Sequence, residues 1–357
     1  MIKSENHKKN LVEIAKKLQK KSQSCPTNEK GEPTETYLEY ISLMYNPTVS
    51  EIVKHLEIFP KSTSLLKLSK EIGKSKKEIQ SLLEEPIKRS FVFSLGKRYS
   101  LANPLMIHDS PFILKENYEH KDIEKFAKLS RKYFEQEKYY KIWETSRRGN
   151  PRMRVLTVSE KIEKKDHIVP IEEVYHIIEN NDEFALIPCP CRLRKEIEGE
   201  RKCKDKYPIH NCILMGPIAR GLIELGDEGV KKVDRNKVKE ITQKATELGL
   251  VHCTDNIAEN CSILCACCEC CCGTIGGLTR YDNPRAIARA NYISEVDIDK
   301  CCACGTCLER CKFEAITIEE TAQININMCV GCGLCAFTCP EEAIKIKRYE
   351  REDIPHL

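Results

Sequence analysis

The stretches CCACGTCLERC (residues 301–311) and CVGCGLCAFTCP (residues 329–340) decide the fold of the C-terminal part of this chain. Both have the spacing Cys-x2-Cys-x2-Cys-x3-Cys, and the second follows the first with an offset of 28 residues. Apolar residues around the motifs repeat with the same offset: Ile298/Ile326, Ala315/Ala343, Ile316/Ile344 and Ile318/Ile346. The sequence therefore predicts an internal duplication that binds metal through cysteine thiolates.

The two motifs, with Pro340 after the second, resemble the bacterial two-cluster [4Fe–4S] ferredoxins over residues 294–349. In that family three thiolates on a tight loop bind one cluster, and the fourth cysteine of each motif reaches across to the other cluster. The resemblance implies a (βαβ)2 domain at residues 291–357. It assigns one cluster to Cys301, Cys304, Cys307 and Cys339, and the second to Cys329, Cys332, Cys335 and Cys311.

Two positions depart from the ferredoxin pattern. Lys312 stands where the family has a proline after the fourth cysteine, which affects the rigidity of the loop and the potential rather than ligation. Cys302 is an additional thiol, and we expect it not to be a ligand. Zinc bound by the same eight cysteines is the alternative, which the interlocked triplets disfavour.

The composition indicates where such a protein would function. The chain has 357 residues and 22 cysteines, and it has neither a secretory signal nor an apolar run of membrane-spanning length. Dense cysteine in such a chain predicts a cytoplasmic protein that binds metal rather than forming disulfides. The first 160 residues carry a net charge of +10 and one cysteine, Cys25, whereas the remainder carries −6 and all the other cysteines. This asymmetry predicts separate units.

A cysteine-rich module is predicted at residues 152–290. It holds twelve cysteines, seven of them within residues 261–272. Thiolates so close together repel one another unless cations neutralise them, so the segment predicts a further iron–sulfur or zinc site. Reduced thiols with redox roles are the alternative. The sequence does not select four ligands, and the candidates are Cys189, Cys191, Cys203, Cys212, Cys265, Cys268 and Cys271.

The N-terminal part has a different pattern. Residues 1–33 are predicted to be a polar segment and residues 104–151 a helical linker with a long helix over 119–142. Between them, helical patterns at Leu65–Ile72 and Lys76–Arg89, the second capped by Ser75, precede two apolar runs separated by Gly96-Lys97. This order resembles a winged helix-turn-helix domain over residues 34–103.

The charges of that domain indicate what it binds. Its candidate phosphate-binding cations are Lys74, Lys76, Lys77, Lys88, Arg89, Lys97 and Arg98. Glu78, Glu84 and Glu85 lie on or near the candidate recognition helix, where a DNA backbone would repel them. The sequence therefore favours protein docking or a structural role over DNA binding.

The predicted fold class is α+β and multidomain, with a mostly helical winged-helix-like unit, a central cysteine-rich α/β module and a C-terminal ferredoxin-like domain. The predicted function is transfer of single low-potential electrons to a redox partner protein, as a carrier or as an oxidoreductase subunit. One alternative is a redox-sensing regulator whose clusters control DNA binding by the winged unit. Another is an enzyme whose middle cluster binds substrate at an open iron position. The sequence identifies no catalytic residue and no oligomeric state.

Overall fold

Helices and strands alternate along the chain in mixed order, which confirms the predicted α+β class. The computed structural model describes residues 2–21, 25–143, 145, 149–158, 173–257 and 259–351. The helices are α1 (Glu5–Lys21), α2 (Glu35–Ser42), α3 (Pro47–Val53), α4 (Leu65–Ile72), α5 (Lys76–Lys88), α6 (Pro104–Ile113), α7 (His120–Arg131), α8 (Val174–Glu179), α9 (Pro190–Ile197), α10 (Gly216–Glu224), α11 (Arg235–Glu247), α12 (Gly273–Thr279), α13 (Thr306–Arg310) and α14 (Leu334–Thr338). None of the helices in this part of the chain is long and apolar enough to cross a membrane.

Fourteen strands form four sheets among the described residues. They are β1 (Glu57–Ile58), β2 (Thr63–Ser64), β3 (Val92–Ser94), β4 (Arg98–Leu101), β5 (Met153–Val155), β6 (Phe184–Pro188), β7 (His210–Met215), β8 (Lys231–Val233), β9 (Val251–Asp255), β10 (Ile263–Cys267), β11 (Tyr292–Val296), β12 (Ile316–Ile318), β13 (Ala322–Ile324) and β14 (Ile344–Arg348).

The chain divides into two compact units. The first consists of Met1–Arg147, Pro188–Arg201 and Glu224–Val230, and the second of Arg148–Ile187, Lys202–Ile223 and Lys231–Leu357. The five sequence segments at residues 1–33, 34–103, 104–151, 152–290 and 291–357 stay predictions of domain organisation.

The first unit contains the helix pair and the hairpin that the sequence predicts. Helix α4 begins after Ser64 and ends at Gly73, which has a positive φ of 73° that suits glycine. Helix α5 begins as predicted, because the Ser75 side chain accepts a hydrogen bond from the Glu78 backbone N–H. Strands β3 and β4 pair across the turn at Gly96-Lys97. The assignment of these elements to a winged helix-turn-helix domain stays a prediction.

The helix predicted over residues 119–142 is wrong in its length. Helix α7 ends at Arg131, and a π-helical turn (Lys132–Gln136) and a 3-10 turn (Tyr139–Lys141) follow. Between the two turns Lys138 adopts a left-handed conformation with φ of 59°, which no continuous helix permits. This irregular backbone packs Tyr133 and Tyr139 against buried His108. The aromatic packing therefore determines the backbone conformation here, and the helical periodicity of the sequence does not.

The second unit contains a six-stranded sheet with the strand order β5-β9-β10-β7-β6-β8. Strand β6 is buried along its whole length, as predicted for residues 183–187, and β5 lies at the sheet edge. The central strand β10 pairs antiparallel with both β9 and β7. It therefore brings the segment that precedes the densest run of cysteines into the middle of the sheet.

The C-terminal part of the second unit repeats one short pattern. Strand β11, helix α13 and strand β12 are followed by β13, α14 and β14 in the same arrangement. Strand β11 pairs with β14, and β12 pairs with β13, so each pair joins one strand of the first half to one strand of the second. The repeated elements follow the duplication in the sequence, and their identity as a two-cluster ferredoxin fold stays a prediction.

Candidate metal centres

A cavity opens beside the first cysteine motif. The members of the first predicted quartet all line it: Cys301, Cys304, Cys307 and Cys339. The backbone N–H groups of Ala322 and Ala343 donate hydrogen bonds to the sulfur atoms of Cys301 and Cys339, over 3.4 and 3.3 Å. Such bonds to sulfur favour the thiolate and tune the potential of an iron–sulfur cluster.

A second cavity opens beside the second motif. Its lining contains the other predicted quartet: Cys311, Cys329, Cys332 and Cys335. The Ser294 hydroxyl lies 3.0 Å from the Cys335 sulfur and stabilises it by a hydrogen bond. Each cavity therefore takes three cysteines from one motif and the last cysteine from the other.

Glycines at special backbone positions shape the two loops. Gly305 and Gly333 precede α13 and α14 with φ of 79° and 77°, so each loop turns sharply into its short helix. Gly331 also has a positive φ, of 76°, and a Cβ there would lie 2.3 Å from the carbonyl oxygen of Tyr292. The second motif is therefore in closer contact with strand β11 than any side chain at position 331 would allow.

Burial makes two thiols of the second quartet difficult to ionise without a cation. Burial, with smaller contributions from the neighbouring thiols Cys329 and Cys311, raises the pKa of Cys335 to about 12, although the Ser294 hydrogen bond opposes the shift. Burial also raises the pKa of Cys332 well above its usual value. By contrast, hydrogen bonds from Thr306 lower the pKa of exposed Cys304. Four converging thiols, two of which burial keeps protonated in the absence of a cation, are a donor set that fits a bound metal cluster.

The two departures from the ferredoxin pattern have distinct positions. Cys302 is exposed and also lies along the first cavity, beside the predicted quartet. Lys312, in place of the usual proline, is largely buried, and its amine lies 3.2 Å from the Glu269 carboxylate in the middle cysteine block. The lysine therefore connects the loop of the second cavity to that block by an ion pair.

The middle block contains a compact group of four thiols. The sulfur atoms of Cys203, Cys268, Cys270 and Cys271 all lie within 4.8 Å of one another. The separations are 3.7 Å for Cys203–Cys271 and Cys268–Cys270, and 3.6 Å for Cys270–Cys271. A metal ion with four sulfur ligands at about 2.3 Å has ligands about 3.8 Å apart, the edge of the tetrahedron. The group therefore has the spacing of a single tetrahedral ion, zinc or iron.

The predicted candidates for the further site have different locations. Cys203, Cys268 and Cys271 belong to the compact group, and its fourth member, Cys270, is absent from the predicted set. The turn between β10 and α12 supplies three cysteines in four residues, and this density was the only signal for Cys270. Cys212 and Cys265 lie on the adjacent strands β7 and β10. Cys189 and Cys191 lie in the first unit, at the start of α9.

Gly331→Ala tests the close contact in the second loop, and Gly305→Ala is the variant with which it is compared. We expect Gly305→Ala to lower the free energy of unfolding of the second unit by about 1–2 kcal/mol, the usual cost of a left-handed alanine. Gly331→Ala should cost more, because its methyl group also meets the Tyr292 carbonyl. Anaerobic urea denaturation followed by visible absorbance measures both. Equal losses of unfolding free energy in the two variants would show that the contact with the Tyr292 carbonyl does not affect stability.

Cys270→Ser tests the compact group. We expect this variant to contain one metal ion fewer per chain than the native protein and the same amount of inorganic sulfide, because a single ion needs no sulfide. Elemental analysis and sulfide assays of anaerobically purified protein measure this. Cys302→Ser is the control and should change neither quantity. A loss of sulfide from the Cys270 variant would instead indicate a polynuclear cluster in this group.

Comparison with known proteins agrees with this chemistry in one segment. The 4Fe-4S binding domain family matches residues 322–345, which contain the second cysteine motif. No curated protein and no solved structure matches the chain. The chain therefore carries a 4Fe–4S binding domain, which indicates at least one such cluster, together with a cysteine-rich group that can bind a metal ion.

Proposed function

We propose that this protein carries single low-potential electrons through two [4Fe–4S] clusters, as a free carrier or as a subunit of an oxidoreductase. The observation that supports this most is the crosswise lining of the two cavities by the two motifs. The proposed ligands of the first cluster are Cys301, Cys304, Cys307 and Cys339. Those of the second are Cys329, Cys332, Cys335 and Cys311.

A bound [4Fe–4S] cluster supplies reversible one-electron transfer, at a potential that its surroundings set. The residues of this chain supply those surroundings. The N–H groups of Ala322 and Ala343 and the hydroxyls of Thr306 and Ser294 stabilise negative charge on four of the sulfurs. Each such bond favours the more negatively charged, reduced state and raises the potential.

The two sites differ in their access to solvent, which suggests an order of transfer. Cys304 at the first site is exposed, whereas Cys329 and Cys335 at the second are buried. Electron transfer requires close approach of the partner, so we propose that the redox partner docks at the first site. Residues 161–357 carry a net charge of −6, which favours approach of this part of the chain to a basic partner surface.

We propose that the compact group is the further cysteine-ligated site. Its members are Cys203, Cys268, Cys270 and Cys271, and their spacing suits a structural zinc or a mononuclear iron. The cytoplasm suits such a set of reduced thiols, because its reducing conditions keep cysteines free for metal. In this proposal the basic N-terminal unit docks a protein partner.

Two ion pairs in that unit bear on the alternative, a winged-helix regulator. Lys74 pairs with Glu78, and Arg89 pairs with Glu85 over 2.8 Å. Arg98 donates to the Ser62 hydroxyl. Three of the seven candidate phosphate-binding cations therefore already have intramolecular partners, which favours protein docking over DNA binding.

Cys335→Ala and Cys302→Ala test the ligand assignment. We expect Cys335→Ala to remove the spin-resonance signal of one of two reduced clusters, because the second cavity loses a thiolate. Cys302→Ala should keep both signals. Low-temperature spin resonance of anaerobically reduced protein distinguishes these outcomes, with iron content as a second measurement. Loss of a cluster on the Cys302 change would contradict the proposed quartets.

A DNA-retention assay under anaerobic conditions separates the carrier from the regulator. We expect no retention that depends on cluster oxidation, because the cations of the candidate recognition helix are interspersed with carboxylates. Binding to random-sequence and genomic DNA fragments is measured over a range of salt concentrations. Retention that falls steeply with salt and disappears on cluster oxidation would favour the regulator.

A further inference from the structure

The register of the six-stranded sheet brings cysteines from three strands into one row. Cys265 on β10 lies directly opposite Cys253 on β9. On its other side, Leu264 lies opposite Ile213 of β7, so the next step of the antiparallel register places Cys265 opposite Cys212. Partners in register point to the same face of a sheet. These three thiols therefore share one face.

Two more cysteines join this face. Cys267 lies two residues beyond Cys265 on β10, so its side chain points the same way. Cys272 caps helix α12, which follows the strand after the turn at residues 268–271. Cys253, Cys265, Cys267 and Cys272 pack together in one core cluster, and the register places Cys212 beside Cys265. We call these five residues the sheet thiols: Cys212, Cys253, Cys265, Cys267 and Cys272.

The apolar packing confirms that β10 separates two faces. Leu264 and Ala266 pack into two core clusters. Cys265 and Cys267 pack with Cys253 and Cys272 in another, the core that also contains cysteines of both ferredoxin-like motifs. Five thiols thus gather where an apolar sheet face would ordinarily pack leucine or valine.

The spacing of the sheet thiols differs from that of the compact group. Among the described residues, only the compact group has four potential ligand atoms all within 4.8 Å of one another. Each of the sheet thiols lies beside another, but together they extend over three strands, and adjacent strands lie about 4.8 Å apart. A four-iron cluster binds each thiolate at a different corner, so its ligands stand farther apart than those of one ion.

We propose that the sheet thiols bind a third iron–sulfur cluster of the [4Fe–4S] type, with Cys267 and Cys272 among its four ligands. Binding requires two ferrous ions, two ferric ions and four inorganic sulfides, and the thiols release their protons to solvent as they ligate. The site is distinct from the compact group and from both motif cavities. The proposal goes beyond the proposed function, since it concerns metal content and does not depend on the direction of electron transfer.

The sheet face also lies beside the second cavity. The backbone N–H of Val158, three residues after β5, donates to the Cys332 carbonyl over 3.1 Å. Cys332 also packs against the core cluster that contains Cys253. A cluster on the sheet thiols would therefore be adjacent to the second cavity and could exchange electrons with a cluster there.

Inorganic sulfide per chain tests the proposal, in native protein and in Cys270→Ser, both purified anaerobically at full length. We expect about twelve sulfides in each, because three four-iron clusters hold four apiece and a single ion in the compact group holds none. A native content of about eight overturns the proposal. A fall from twelve to eight in Cys270→Ser overturns it as well, because the third cluster then lies in the compact group.

Cys272→Ser then locates the cluster. Serine is a favourable N-cap, so this change removes a thiol and keeps the start of α12. We expect the variant to lose about four irons and four sulfides while it keeps the spin-resonance signals of both motif clusters. Cys261→Ser is the matched control: Cys261 is buried in the same block but contacts the Arg154 side chain, and we expect no loss. Twelve sulfides in Cys272→Ser would overturn the assignment to the sheet thiols.

Discussion

The packing of many thiols into one core is the constraint on which the second unit depends. Its core cluster contains buried cysteines of the sheet and of both motifs, among them Cys253, Cys307 and Cys335. An apolar core stabilises uncharged side chains, whereas a metal ligand must be a thiolate, and burial opposes that ionisation. Bound cations resolve this conflict, because they replace the protons and neutralise the charge. The folding and the metal content of this unit are therefore expected to be coupled.

The sequence predicted the features that local spacing encodes. The duplicated motifs identified eight of the nine cysteines that line the two cavities, and Ser75 and Gly96-Lys97 identified a helix start and a hairpin. The irregular turns after α7 could not be found in this way, because packing of Tyr133 and Tyr139 around His108 overrides the local helical pattern. Here a tertiary contact determines the backbone conformation, and local residue preferences do not predict it.

The middle block was harder to predict for a physical reason. A ligand group assembled from β7, β9 and β10 depends on strand register, and register depends on the partners of each strand. The spacing of Cys212, Cys253 and Cys265 along the chain therefore carries no sign of their proximity. The Cys203 side chain likewise joins the turn at 268–271 from more than sixty residues away. Composition predicted that the block binds metal, and the fold determines which thiols meet.

Strand geometry then explains how one run of cysteines can serve two sites. Along β10, alternate side chains point to opposite faces, so Cys265 and Cys267 face one way while Ala266 faces the other. After the strand ends, the turn directs Cys268, Cys270 and Cys271 toward Cys203. Cys272, at the start of α12, returns to the first face. In a regular strand, neighbouring side chains point to opposite faces, so three thiols close in sequence could not bind one ion. A turn alone could not place thiols on three strands. The junction between the strand and the turn therefore places the compact group beside the sheet thiols.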